Sequence, residues 1–151
     1  MPLEEVEASW QAIEMVSHRF SNISNVMNIP YKMRSVGHDE EDDERFYALN
    51  AKEIALLAEV EHNRWSVERL VAGSRPVTPV ERDEIRDAIE EFIRTGKGED
   101  LKKSYKKRGI HYDLCAFSEL GKDRTGRNVR EYDIDLTTCI PLIVEESKRM
   151  R

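Results

Sequence analysis

Glu61, Trp65 and Glu68 are spaced by four and then three residues, which on a helix places them along one face. His62 and Arg64 flank that line, while Val60, Val67 and Val71 point to a different side. A tryptophan set among carboxylates, an imidazole and a guanidinium is suited to recognition. Its ring stacks on a flat heterocycle or a cation, and the charged neighbours fix polar edges. A helix with two apolar directions separated by such a stripe is expected to pack on one side and open to a cleft on the other. The same residues have a plainer reading, in which Trp65 is core and the charges pair within the helix for about 0.3 kcal/mol each. Spacing alone favours the plainer one.

No catalytic constellation is legible. Glu61 and His62 are adjacent and diverge around a helix, unlike the i, i+4 histidines of an HExxH metal pair. Cys115 and His111 sit four residues apart in a segment read as extended, which spreads their side chains. Gly96-Lys97-Gly98 lacks the rest of a phosphate-binding loop. Catalysis is therefore not expected, nor is a cofactor or a metal.

The elements that must hold the stripe follow from local signals. Asn50 with Glu53 forms a capping box ahead of a long central helix that carries Ile54, Leu57, Val60, Trp65 and Leu70 and stops at Gly73. Thr78-Pro79-Val80-Glu81 is a second capping box, and Ile85, Ile89, Phe92 and Ile93 stripe the helix it opens, which ends at residues 96–98. A short helix is expected over 100–107. Residues 109–120 have no helical period and read as extended, with any sheet limited to a short pairing near 109–117. A loop covers 121–126. A helix from Asn128 is expected to bury Val129, Tyr132 and Leu136, and a last one to run from about Pro141 to Lys148.

Ahead of these, Val6, Trp10, Ile13, Phe20 and Met27 line one face of an N-terminal helix, and a shorter helix from Pro30 to Gly37 should bury Met33 and Val36. The class is mainly α. Its organisation is read as a helical extension over 1–37, an acidic linker over 38–49 and a compact domain over 50–149.

At 151 residues the chain is long enough to bury a core without staples. Apolar residues at 39% and charged residues at 36% describe a globular but well-solvated protein. Cys115 and Cys139 have no metal-ligand spacing and read as reduced thiols. No apolar run approaches a membrane span, and the first residues lack the basic start and apolar core of a secretion signal, so a cytoplasmic location is expected. A net charge of −6 argues against general nucleic-acid binding. The basic run at 102–108, KKSYKKR, could draw phosphate toward a cleft but reads better as an exposed helix face.

Residues 57–73, LAEVEHNRWSVERLVAG, resemble the first helix of the ryanodine receptor repeat domain, whose pattern is an acidic residue or Asn, then His, two variable positions, Trp, and a closing Gly. Residues 111–120, HYDLCAFSEL, are similar to that family's second motif, with Tyr112 and Ala116 where prolines are usual. Glu131-Tyr132-Asp133 and Ile140-Pro141-Leu142-Ile143 resemble its third motif and closing helix. The motifs occur in the family's order across residues 51–144, and residues 17–19 and 29–37 are similar to the segment that precedes the domain in prokaryotic members.

The resemblance implies a compact helical domain of ryanodine-receptor-repeat type with a non-catalytic, ligand-sensing role. It implies a purine nucleotide or nucleotide-derived ligand stacked on Trp65, with Glu61, His62 and Arg64 nearby and His111, Tyr112 and Arg130 supplied by later segments. The alternative is a protein-interaction or oligomerisation module with no small-molecule ligand, resting on Trp10 and Phe20 of the N-terminal helix.

Overall fold

The computed structural model describes residues 16–38 and 49–149 of the chain. The chain divides into two compact units, Met1–Phe46 and Tyr47–Arg151. In the first, α1 (Val16–Met27) is followed by α2 (Ile29–Ser35). Pro30 lies in the first turn of α2, where its missing N–H has no intrahelical partner to lose. Met33 is fully buried as expected, and Val36 is only partly covered. Phe20 and Met27 are exposed. Val6, Trp10 and Ile13, and most of the acidic segment at 38–45, lie outside the described residues.

The second unit is mainly helical, as the periodicity predicts. It contains α3 (Ala51–Val71), β1 (Arg75–Pro76), α4 (Pro79–Thr95), α5 (Leu101–Lys107), β2 (Ile110–His111), a 3-10 turn (Phe117–Glu119), α6 (Arg130–Thr138) and α7 (Ile140–Arg149). Both capping boxes form. Asn50 accepts from the amides of Lys52 and Glu53 while Glu53 accepts from the Asn50 amide at 2.8 Å. Thr78 and Glu81 exchange the same pair of bonds, and Arg75 adds two more to Glu81 at 2.7 and 2.9 Å. These short-range bonds fix where α3 and α4 begin.

The sheet is limited to one pairing. β1 and β2 run parallel, with Arg75 opposite Ile110 and Pro76 opposite His111. The 110–111 strand was legible in the sequence; its partner at 75–76 was not. A parallel pair needs a crossover between its strands, which here is made by α4 and α5. Gly109, at φ 75°, makes the turn that brings β2 to its partner, and its carbonyl accepts from the Arg75 amide at 2.9 Å.

α3 packs chiefly on α6, with the 3-10 turn also against it, and α5 packs on both α4 and β2. One core cluster joins Ile85 and Ile89 of α4 to Tyr112, with Val77, Leu101 and Tyr105 around it.

Two expected apolar faces are differently placed. The buried residues of α3 are Leu57, Ala58, Glu61 and His62, whereas Val67, Leu70 and Val71 are exposed. The polar stripe is thus the packed side, and the valines at the helix end face solvent. On α6, Tyr132 and Leu136 are exposed and Thr137 is buried. Thr137 is compatible with burial because its hydroxyl donates to the Asp133 carbonyl at 2.8 Å. Tyr132 instead pins the preceding loop: its hydroxyl donates to Asp123 at 2.7 Å and the Arg127 guanidinium lies 4.3 Å from its ring centroid. No helix among the described residues is long and apolar enough to cross a membrane.

Candidate functional site

The stripe on α3 closes on itself. Arg64 donates to both oxygens of Glu61, with Nη2 to Oε1 at 2.7 Å and Nε to Oε2 at 2.9 Å, and its Nη1 donates to Glu68 at 2.7 Å. Glu68 also pairs with Arg69. Two carboxylates and two guanidiniums therefore neutralise one another along successive turns. Burial alone would raise the Glu68 carboxyl, but the hydrogen bonds from Arg64 and Arg69 outweigh it and hold the group below its ordinary value. The same bonds overcome the cost of burying Arg64 and strengthen its hold on its proton.

His62 is 2% exposed and ties α3 to two other segments. Its Nε2–H donates to the carbonyl of Cys115 at 2.9 Å, and its Nδ1 lies 3.5 Å from the Asp133 carboxylate on α6. Burial pushes the imidazole toward neutrality, yet the Asp133 carboxylate and the Cys115 carbonyl prevail and its pKa is raised. The Asp133 partnership is invisible in sequence, because it spans two helices.

Trp65 is partly covered, stacked on His62 at a centroid distance of 5.8 Å and met edge-on by His111 at 4.8 Å and 77°. Phe117 lies 5.8 Å from His62 on the 3-10 turn. His111, on β2, is 7% exposed and is held neutral: burial lowers its pKa to about 4, with Asp113 opposing and Lys106 and Lys102 reinforcing the shift. Its Nδ1 accepts weakly from the Asp113 amide at 3.4 Å. The Asp113 carboxylate is taken by Lys102 of α5, at 2.8 and 2.9 Å. Lys102 is thus a structural anchor as well as a member of the basic run.

The predicted residues do not all come together. Five of them cluster in two sets on neighbouring positions: Glu61 and Arg64, ion-paired together with Glu68, and His62, Trp65 and His111, joined by ring contacts. Tyr112, next in sequence to His111, belongs to the α4 core cluster instead. It lines a concavity of about 510 Å³ together with Arg82, Ile89, Ile93, Gly121 and Lys122, a lining that contains none of the five clustered residues. Arg130 opens α6 one turn before Asp133, and its guanidinium bonds to Asn128 Oδ1 at 3.3 Å.

Sequence reasoning missed the concavity, although a signal was present. Arg82, Arg86, Glu90 and Arg94 follow one another at four-residue steps beside the apolar stripe of α4, a polar row bordering a buried one. Cys115 is half-buried and Cys139 exposed, both free; burial raises the Cys115 thiol and so disfavours its reactive form. Among the described residues no group of His, Cys, Asp and Glu is arranged to hold a metal ion. No protein-family model, curated protein or solved structure matches the chain.

Proposed function

We propose that the Tyr47–Arg151 unit is a non-catalytic, cytoplasmic ligand-sensing domain of ryanodine-receptor-repeat type that binds a purine nucleotide or nucleotide-derived molecule at Trp65. The single observation that carries this reading is the state of Trp65 within its cluster. Its ring partners His62 and His111 are almost wholly buried and fixed by hydrogen bonds or packing, while the indole itself is partly open. A rigidly backed, half-covered indole is suited to stacking on a flat heterocycle with little ordering cost. Arg130 supplies a guanidinium whose hydrogen bond goes to an amide side chain rather than a carboxylate, which suits it to a phosphate. The order of the motifs along the sequence supports the same reading.

The test is thermal unfolding across purine nucleotides, cyclic nucleotides and nucleotide sugars, with wild type and Trp65→Ala. A ligand present at a hundred times its dissociation constant should stabilise the wild type by about 2.7 kcal/mol and leave a folded Trp65→Ala unchanged. No shift with any of these compounds would remove the reading.

A second reading has its own support. Phe20, Ile23 and Met27 form an exposed apolar row at steps of three and four on α1, the kind of stripe that mediates helix–helix association. As an interaction module the chain would form a homo-oligomer or partner complex. Light scattering on wild type and the double variant Phe20→Glu, Met27→Glu would show a dimer converting to a monomer. A wild type that is monomeric at every concentration would count against self-association.

A further inference from the structure

The concavity beside Tyr112 has the features of a second binding site. Its volume of about 510 Å³ falls within the range of small-molecule clefts, roughly 300–1,000 Å³. Ile89, Ile93 and the Tyr112 ring give it an apolar floor. Tyr112 is 5% exposed as a residue, and its hydroxyl is not among the fully buried polar atoms, so the ring is covered while the oxygen reaches the open side. This hydroxyl borders the concavity beside Gly121, where a side-chain carbon would come within 3.3 Å of it. Glycine at 121 keeps that approach open.

The charges around the floor are unevenly engaged. Arg86 is paired with Asp83 at 2.9 Å and Asp87 at 3.5 Å, and Arg94 with Glu91. Arg82 and Lys122 have no carboxylate within ion-pair distance among the described residues. Arg82 lies 5.3 Å from the Tyr112 ring centroid and hydrogen-bonds the Cys115 thiol, a neutral partner that leaves its charge uncompensated beside the hydroxyl. Of the two lining carboxylates, Glu119 already accepts from the Ala116 amide at 3.3 Å. Glu90 is two turns along α4 from Arg82, about 12 Å by helix rise. One end of the concavity therefore offers cations and a hydroxyl, and its middle is apolar.

We propose that this concavity binds a small organic anion, a carboxylate or phosphate carried on a compact apolar or aromatic body. The anionic group meets Arg82, Lys122 and the Tyr112 hydroxyl, and the body lies on Ile89 and Ile93. The site is separate from Trp65 and does not depend on the nucleotide reading.

Calorimetric titration with phenyl phosphate, benzoate, benzyl alcohol and benzylamine tests it. One of the two anions should bind saturably, and the alcohol and amine at least about tenfold more weakly, as expected when a charge-assisted hydrogen bond is lost. The preferred anion identifies the headgroup. Arg82→Gln, Lys122→Gln and Tyr112→Phe should each weaken binding about fivefold or more, whereas Trp65→Phe should leave it unchanged. Lys122 is exposed, so its variant folds irrespective of the other two. Amide shifts at Gly121 and Lys122 during an NMR titration locate the ligand. Absence of saturable binding by both anions, equal binding of benzylamine, or binding indifferent to Arg82→Gln and Lys122→Gln would overturn the proposal.

Discussion

The Trp65 cluster and the Tyr112 concavity draw on successive residues, His111 at the end of β2 and Tyr112 in the turn after it, and are made of similar residues: an aromatic ring, arginines and glutamates. They differ in what the polar groups already hold. Around Trp65, Arg64 is taken by Glu61 and Glu68, and His62 is taken by Asp133 and the Cys115 carbonyl. Around Tyr112, Arg82 and Lys122 have no carboxylate partner among the described residues, and Arg82 engages only the Cys115 thiol and the Tyr112 ring. A satisfied buried network contributes rigidity and becomes costly when cut, whereas an unsatisfied set at a cleft is available to a ligand and nearly neutral when altered. The polar groups around Trp65 should thus report mutations through stability, with the indole alone left for a ligand, and those around Tyr112 through binding.

The largest effect should come from His62→Ala. It leaves the Asp133 carboxylate and the Cys115 carbonyl facing a void, and should cost about 4 kcal/mol in urea denaturation. An unchanged midpoint would break the comparison at its first premise.

Next comes pH, where the two histidines flanking Trp65 should oppose each other. His111 titrates near 4 in the folded protein against 6.5 unfolded, so its contribution is complete above 6.5 and is lost as pH falls toward 4, by about 3 kcal/mol. His62 has a raised folded value, so its contribution is fully present below 6.5 and is lost as pH rises from there through the higher folded value. Unfolding free energies from pH 4 to 8.5 should show the acid limb flattened in His111→Gln and the alkaline limb flattened in His62→Gln. Swapped or absent effects would remove the assignment of opposite roles.

Gly121→Ala tests whether the concavity is as close-packed at its Tyr112 wall as the 3.3 Å approach implies. It should cost about 1 kcal/mol, since a buried ring must shift to admit the methyl group. The smallest expected effect is at Lys122, where Gln should change stability by less than about 0.5 kcal/mol. A loss there as large as that of His62→Ala would mean that the second region is structural as well.

The legibility of these features follows the range of the interactions behind them. Asn50 with Glu53 and Thr78 with Glu81 announced α3 and α4, because a capping box is complete within four residues. The 110–111 strand was visible as a break in helical period, but nothing local marked Arg75–Pro76 as its partner across the intervening helices. The Glu61/Trp65/Glu68 face was also legible. Its direction was not: the apolar Val67 and Val71 suggested a packed side that is in fact exposed, and the charged residues face inward because they pair with each other.

The sequence by itself determined the mainly helical class, the starts of the principal helices and the alignment of the Trp65 stripe, all set by caps and side-chain period over a few residues. Only the tertiary structure decided that His62 would join Cys115, 53 residues away, and Asp133 on another helix. It alone decided that His111 and Tyr112 would serve different clusters. The physical reason is that the chain turns directly after β2, and what the side chains on either side of that turn meet depends on helices folded against them from elsewhere in the chain.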